Sequence, residues 1–95
     1  MELQEARHLA ELLMETHLGA DSGWTFKFDR AVGTFGKCNW NTYTISLSGP
    51  LTQVNTEEHV ANTILHEIAH AIAGHEAGHG PVWRSVARSV GARPR

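Results

Sequence analysis

From Glu2 to Leu18 the apolar residues fall at Leu3, Ala6, Ala10, Leu13, Met14 and Leu18, the spacing of one buried stripe along an α-helix. Gly19 closes that helix. Asp21-Ser22-Gly23 is a turn signal, and after it Trp24, Phe26 and Phe28 alternate with Thr25, Lys27 and Asp29, which predicts a half-buried strand. A second strand is expected between Val32 and Cys38, with Gly33 and Gly36 marking bends or bulges, followed by a hairpin loop over Asn39-Trp40-Asn41-Thr42. Tyr43, Ile45 and Leu47 then alternate with Thr44, Ser46 and Ser48, so a third strand carries one apolar and one hydroxyl-rich face until Gly49-Pro50 ends it. Three such strands predict a small antiparallel sheet covered by helices on one side.

Asn55, with Glu58 three residues on, has the form of a capping box, and Glu57 and Glu58 place negative charge at a positive helix end. The helix that follows is apolar over more than half its girth, through Val60, Ile64, Leu65, Ile68, Ala69 and Ile72, so it is expected to be buried except for a histidine face. Gly80-Pro81 opens a last helix whose stripe is Val82, Trp83, Val86, Ala87 and Val90, with Trp83 packed on the central helix and Gly91 as the stop. The fold class read from this order is α+β: one domain over 1–95, about three helices on a three-stranded sheet, with 91–95 as a mobile tail.

The histidine face carries the chemistry. His66-Glu67-Ile68-Ala69-His70 is an HExxH run, and residues four apart on a helix lie about 40° from each other, so both imidazoles can address one ion. Glu67 is turned about 100° from His66, beside such an ion and not on it, where a general base belongs. A catalytic zinc needs three protein ligands and one open position, so a third must be found. Gly74 and Gly78 stop the helix near His75, and a chain turning back there brings His79 over the first pair; His79 is the first choice, His75 the second and Glu76 the third. His59 lies about 10 Å further along the axis and is left out. Tyr43, His75 and Lys37 are the candidates for stabilising an oxyanion.

HEIAH followed by His79-Gly80-Pro81-Val82-Trp83, with Gly36-Lys37-Cys38 and the strand Ile45-Ser46-Leu47-Ser48 upstream, resembles the SprT-like metalloprotease family over roughly Trp24 to Trp83. The resemblance implies a minimal zincin-like domain in which His66, His70 and His79 hold Zn2+ and Glu67 is the catalytic base for peptide-bond hydrolysis. It also implies substrates among DNA-associated proteins, since the best-known relatives digest proteins crosslinked to DNA. Metzincins would need a histidine where Glu76 stands and a methionine after the site, whereas Met1 and Met14 both precede it.

Composition narrows this only a little. With 95 residues, 41% hydrophobic and 19% charged, the chain reads as an ordinary globule with a thin core, to which a bound metal can add stability. It holds no run of eighteen apolar residues and no apolar leader near Met1, so a cytoplasmic monomer without a membrane is expected. Cys38 stands alone, which excludes an intrachain disulfide, and reads as a small buried side chain. Residues 1–29 carry two basic against six acidic side chains, while Arg84, Arg88, Arg93 and Arg95 follow Pro81 with no acid among them. A basic end could touch DNA, although solvating a helix face is its commoner use. The expected partner is a protein or peptide substrate; the alternative is a small zinc-stabilised DNA- or protein-binding module without proteolytic activity.

Overall fold

The first stripe forms as its spacing requires. In the computed structural model, which describes residues 1–94, α1 spans Leu3–Leu18 and buries Ala6, Ala10 and Met14. Gly19 ends it with a φ of 93°, its N–H donating to the Glu15 carbonyl.

Three strands follow, β1 (Thr25–Asp29), β2 (Gly36–Asn39) and β3 (Thr44–Ser48), in the spatial order β1-β3-β2. The hairpin from β2 to β3 is antiparallel as expected; its corner is held by Asn39 Oδ1, which accepts from the N–H groups of Asn41 and Thr42. β1, however, runs parallel to β3, with Phe26 beside Ile45 and Phe28 beside Leu47, so the sheet is mixed and not antiparallel throughout. Alternation decides which face a side chain takes and is silent on which strand becomes its neighbour. Here the connection after β1 wraps the end of β3: Ser48 donates its N–H to the Phe35 carbonyl and its hydroxyl to the Ala31 carbonyl. As the central strand, β3 buries Ser46 and Ser48 along with Ile45 and Leu47.

Gly49-Pro50 ends β3 and also opens a short helix, α2 (Gly49–Gln53), because Ser48 Oγ accepts from the Leu51 N–H while proline takes a first-turn position that needs no donor. The central helix, α3 (Glu57–Ala73), is capped by Thr56, whose hydroxyl accepts from the His59 N–H. The expected Asn55 box is absent, because the Asn55 amide is turned back to the Leu51 carbonyl. Val60, Ile64 and Ile68 of α3 are fully buried against α1 and the sheet residues Phe26, Ile45 and Leu47, a burial worth about 1.5–3 kcal/mol for each aliphatic side chain. That packing fixes the rotation of α3, and with it the direction of its histidine face.

Beyond Gly74 a single 3-10 turn (His75–Ala77) leads to α4 (Pro81–Ser89), which sets Trp83 and Ala87 against Ala69 of α3. A mobile tail is expected from residue 91, yet Ala92 is buried in this second cluster and the Arg93 main chain is paired with Asn62. Arg95 lies outside the described residues. No helix is long and apolar enough to cross a membrane among the described residues.

Candidate metal centre

His66 and Glu67 are buried on α3 and His70, one turn later, is half-buried. The α3 helix stops at Gly74, where φ is 94° and ψ 161°, and Gly78 takes a φ of 53° and a ψ of −133°. These two glycines return the chain over the helix, so that the Nε2 atoms of His70 and His79 lie 3.0 Å apart. Two imidazoles on one tetrahedral zinc, each bonded at about 2.0–2.1 Å, would hold their nitrogens roughly 3.3 Å apart. The pair therefore fits a shared cation to within a few tenths of an ångström. Of the three candidates for the third position, His79 is the one carried to His70. His75 lines the same cleft with its ring edge-on to Trp40 at 5.0 Å, and Glu76 is exposed outside the lining.

His66 lines the cleft too, but its Nε2 is 2.7 Å from the Arg93 carbonyl oxygen. A carbonyl only accepts, so this nitrogen is the donor. Among the described residues no three His, Cys, Asp or Glu side chains are arranged to hold an ion as they stand. The expected set of His66, His70 and His79 is thus gathered in one cleft, with the Nε2 atoms of His70 and His79 sharing a hydrogen bond and that of His66 engaged by main chain. The donor chemistry, three imidazoles beside a carboxylate, suits zinc.

Trp83 is the wall behind all three rings. Its centroid lies 5.2 Å from that of His66, 5.0 Å from His70 and 4.8 Å from His79, and its Nε1 donates to the His66 carbonyl at 3.4 Å. The helical stripe assigns Trp83 to the α3 contact, but a stripe cannot say that the contact falls on the histidines.

β2 lines the same cleft. A Cβ built on Gly36 would come within 2.9 Å of Thr63 Cγ2, 3.0 Å of Glu67 Cγ and 3.2 Å of Glu67 Oε2, so the carboxylate rests against bare backbone. The expectation of a bend at Gly36 gives way to a closer reason: any side chain there would crowd Thr63 and Glu67. Burial pushes the half-buried Cys38 thiol up to about 12, and the negative charge of Glu67 adds to the effect, which keeps this cysteine protonated and unreactive. Trp40 turns its edge to His70 at 6.2 Å and closes the cleft on that side. The cleft is open to solvent and measures about 1070 Å³. Lys37 lines it and sits 3.8 Å from Asp29, whereas Tyr43 lies outside it, exposed and edge-on to Trp24.

The family model described as the SprT-like family matches residues 4–95. No curated protein and no solved structure matches the chain.

Proposed function

We propose that this chain, which belongs to the SprT-like family of metallopeptidase-type domains, is a zinc-dependent endopeptidase. The observation that carries the reading is the approach of His70 and His79 to 3.0 Å inside the cleft that also holds His66 and Glu67. His66, His70 and His79 would be the ligands; a zinc ion bound there supplies Lewis acidity, polarising a peptide carbonyl and lowering the pKa of water.

The chain's own part is positioning and proton transfer. Glu67, seated on Gly36, takes a proton from the attacking water as its oxygen bonds to the carbonyl carbon. The carboxyl group then returns that proton to the nitrogen as the C–N bond breaks, which leaves an acid and an amine. Because β2 pairs only with β3 among the described residues, its other edge can take an extended peptide along Gly36–Asn39, main chain to main chain. Such pairing reads backbone and tolerates many sequences. Arg84 and Arg88 line a pocket of about 180 Å³ beside the cleft, where the guanidinium of Arg93 is already paired with Glu58; these two arginines support substrates among DNA-associated proteins, and retardation of duplex and single-stranded DNA that weakens with salt checks this part.

Glu67→Gln tests the enzyme reading. Cleavage of an unfolded protein substrate should fall by about 10²–10⁴ while zinc content and melting temperature hold. His79→Ala should lose zinc where His75→Ala keeps it. Undiminished cleavage by Glu67→Gln would sink the mechanism, and a zinc-loaded wild type that cuts nothing would favour the binding module.

A further inference from the structure

The Arg93 carbonyl that holds His66 is itself held. Asn62, one turn before His66 on the same face of α3, grips the Arg93 peptide from both sides: its Nδ2 donates to the carbonyl at 3.2 Å, and the Arg93 N–H donates to its Oδ1 at 2.7 Å. One turn earlier again, Glu58 takes the Arg93 guanidinium, a contact that also holds its carboxyl below the usual range. Glu58, Asn62 and His66 therefore meet one residue of the following segment at three successive turns. The buried Ala92 anchors that segment beside Trp83, and Pro94 lines both the main cleft and the smaller pocket.

We propose that Asn62 and the Arg93 main chain are working parts of the metal site, a latch in which carbonyl and metal ion compete for the same nitrogen of His66. The inference rests on the reading of His66 as a ligand. A ring nitrogen that donates its proton to a carbonyl has no lone pair for a cation, so the two engagements exclude one another at that atom. Loading the ion at Nε2 must release the Arg93 carbonyl, and the segment carrying Pro94 leaves the cleft wall with it. Asn62 thus sets metal affinity without touching metal, and an emptied site re-forms its own cover.

The test compares the full chain with Asn62→Ala, a change at a half-exposed helical position where alanine is the better helix former. Zinc affinity is read by competition with a chromophoric chelator at fixed pH, and amide exchange of Ala92 and Arg93 is followed with and without zinc. Removing the grip should tighten zinc about five- to tenfold, the worth of its two exposed hydrogen bonds with each at the low end of the net range. In the wild type, zinc should abolish protection of the Arg93 amide. Weaker zinc binding by Asn62→Ala, or an Arg93 amide still protected in the loaded protein, overturns the latch and makes the carbonyl an orienting partner for a His66 that ligates through Nδ1. Zinc held by neither protein would remove the metal reading itself, and the latch with it.

Discussion

At the scale of single residues, the closest tolerance in the site is the one between Gly36 and Glu67. Gly36→Ala must move the Glu67 carboxylate, Thr63 or the strand, because the new methyl would lie at 2.9–3.2 Å from them. Overpacking of this kind costs about 1–3 kcal/mol. Cleavage should fall at least about tenfold with zinc content unchanged, since a base displaced by an ångström loses its line to the water. Urea melts and peptidase assays on the same preparation check both halves; wild-type values for both would mean that the carboxylate has room to spare. Sequence reading finds Glu67 because HExxH fixes its angle on a helix. It misreads Gly36, because a glycine kept open for a neighbour 31 positions away looks like any glycine at a bend.

At the scale of elements, the site depends on how α3 ends. Gly74 and Gly19 make a matched pair: both terminate a helix at φ near 93–94°, and both would carry an added Cβ into open space. Alanine at either should cost about 1–3 kcal/mol of backbone strain, measured by thermal or urea unfolding. Only Gly74→Ala should also weaken zinc binding, because only that corner aims His79 at His70. Equal zinc affinities in the two variants would show that the loop finds its place without the corner. The three longer helices were legible, since a period near 3.6 reports burial directly. The parallel pairing of β1, the helix hidden behind Gly49-Pro50 and the cap at Thr56 were not, because each is decided by hydrogen bonds that period and propensity leave open: Ser48 to Ala31 and Phe35, and Thr56 in place of Asn55.

At the scale of the molecule, two clusters meet across α3. The larger unites α1, the sheet and α3; the smaller is Trp83 with three alanines, a light core for the α4 end. An ion joining α3 to His79 should stiffen that lighter end most. At a zinc concentration about a hundred times the dissociation constant, linkage adds roughly 2.7 kcal/mol. For a domain of this size each kcal/mol raises Tm by about 4–8 °C, so calorimetry should show a rise of roughly 10–20 °C that a chelator reverses. A Tm indifferent to zinc would mean that the native fold does not bind it. An α+β fold around an HExxH helix could be read from the chain, whereas the meeting of Arg93 with His66 could not, being a tertiary contact between segments with no shared pattern. The indole of Trp83 adds a constraint of another kind. One rigid plane in touch with all three imidazoles couples positions that lie far apart in sequence, so substitutions among them should combine non-additively. Transplanting the histidines to another scaffold without their shared aromatic neighbour would carry over the letters of the motif and lose its alignment.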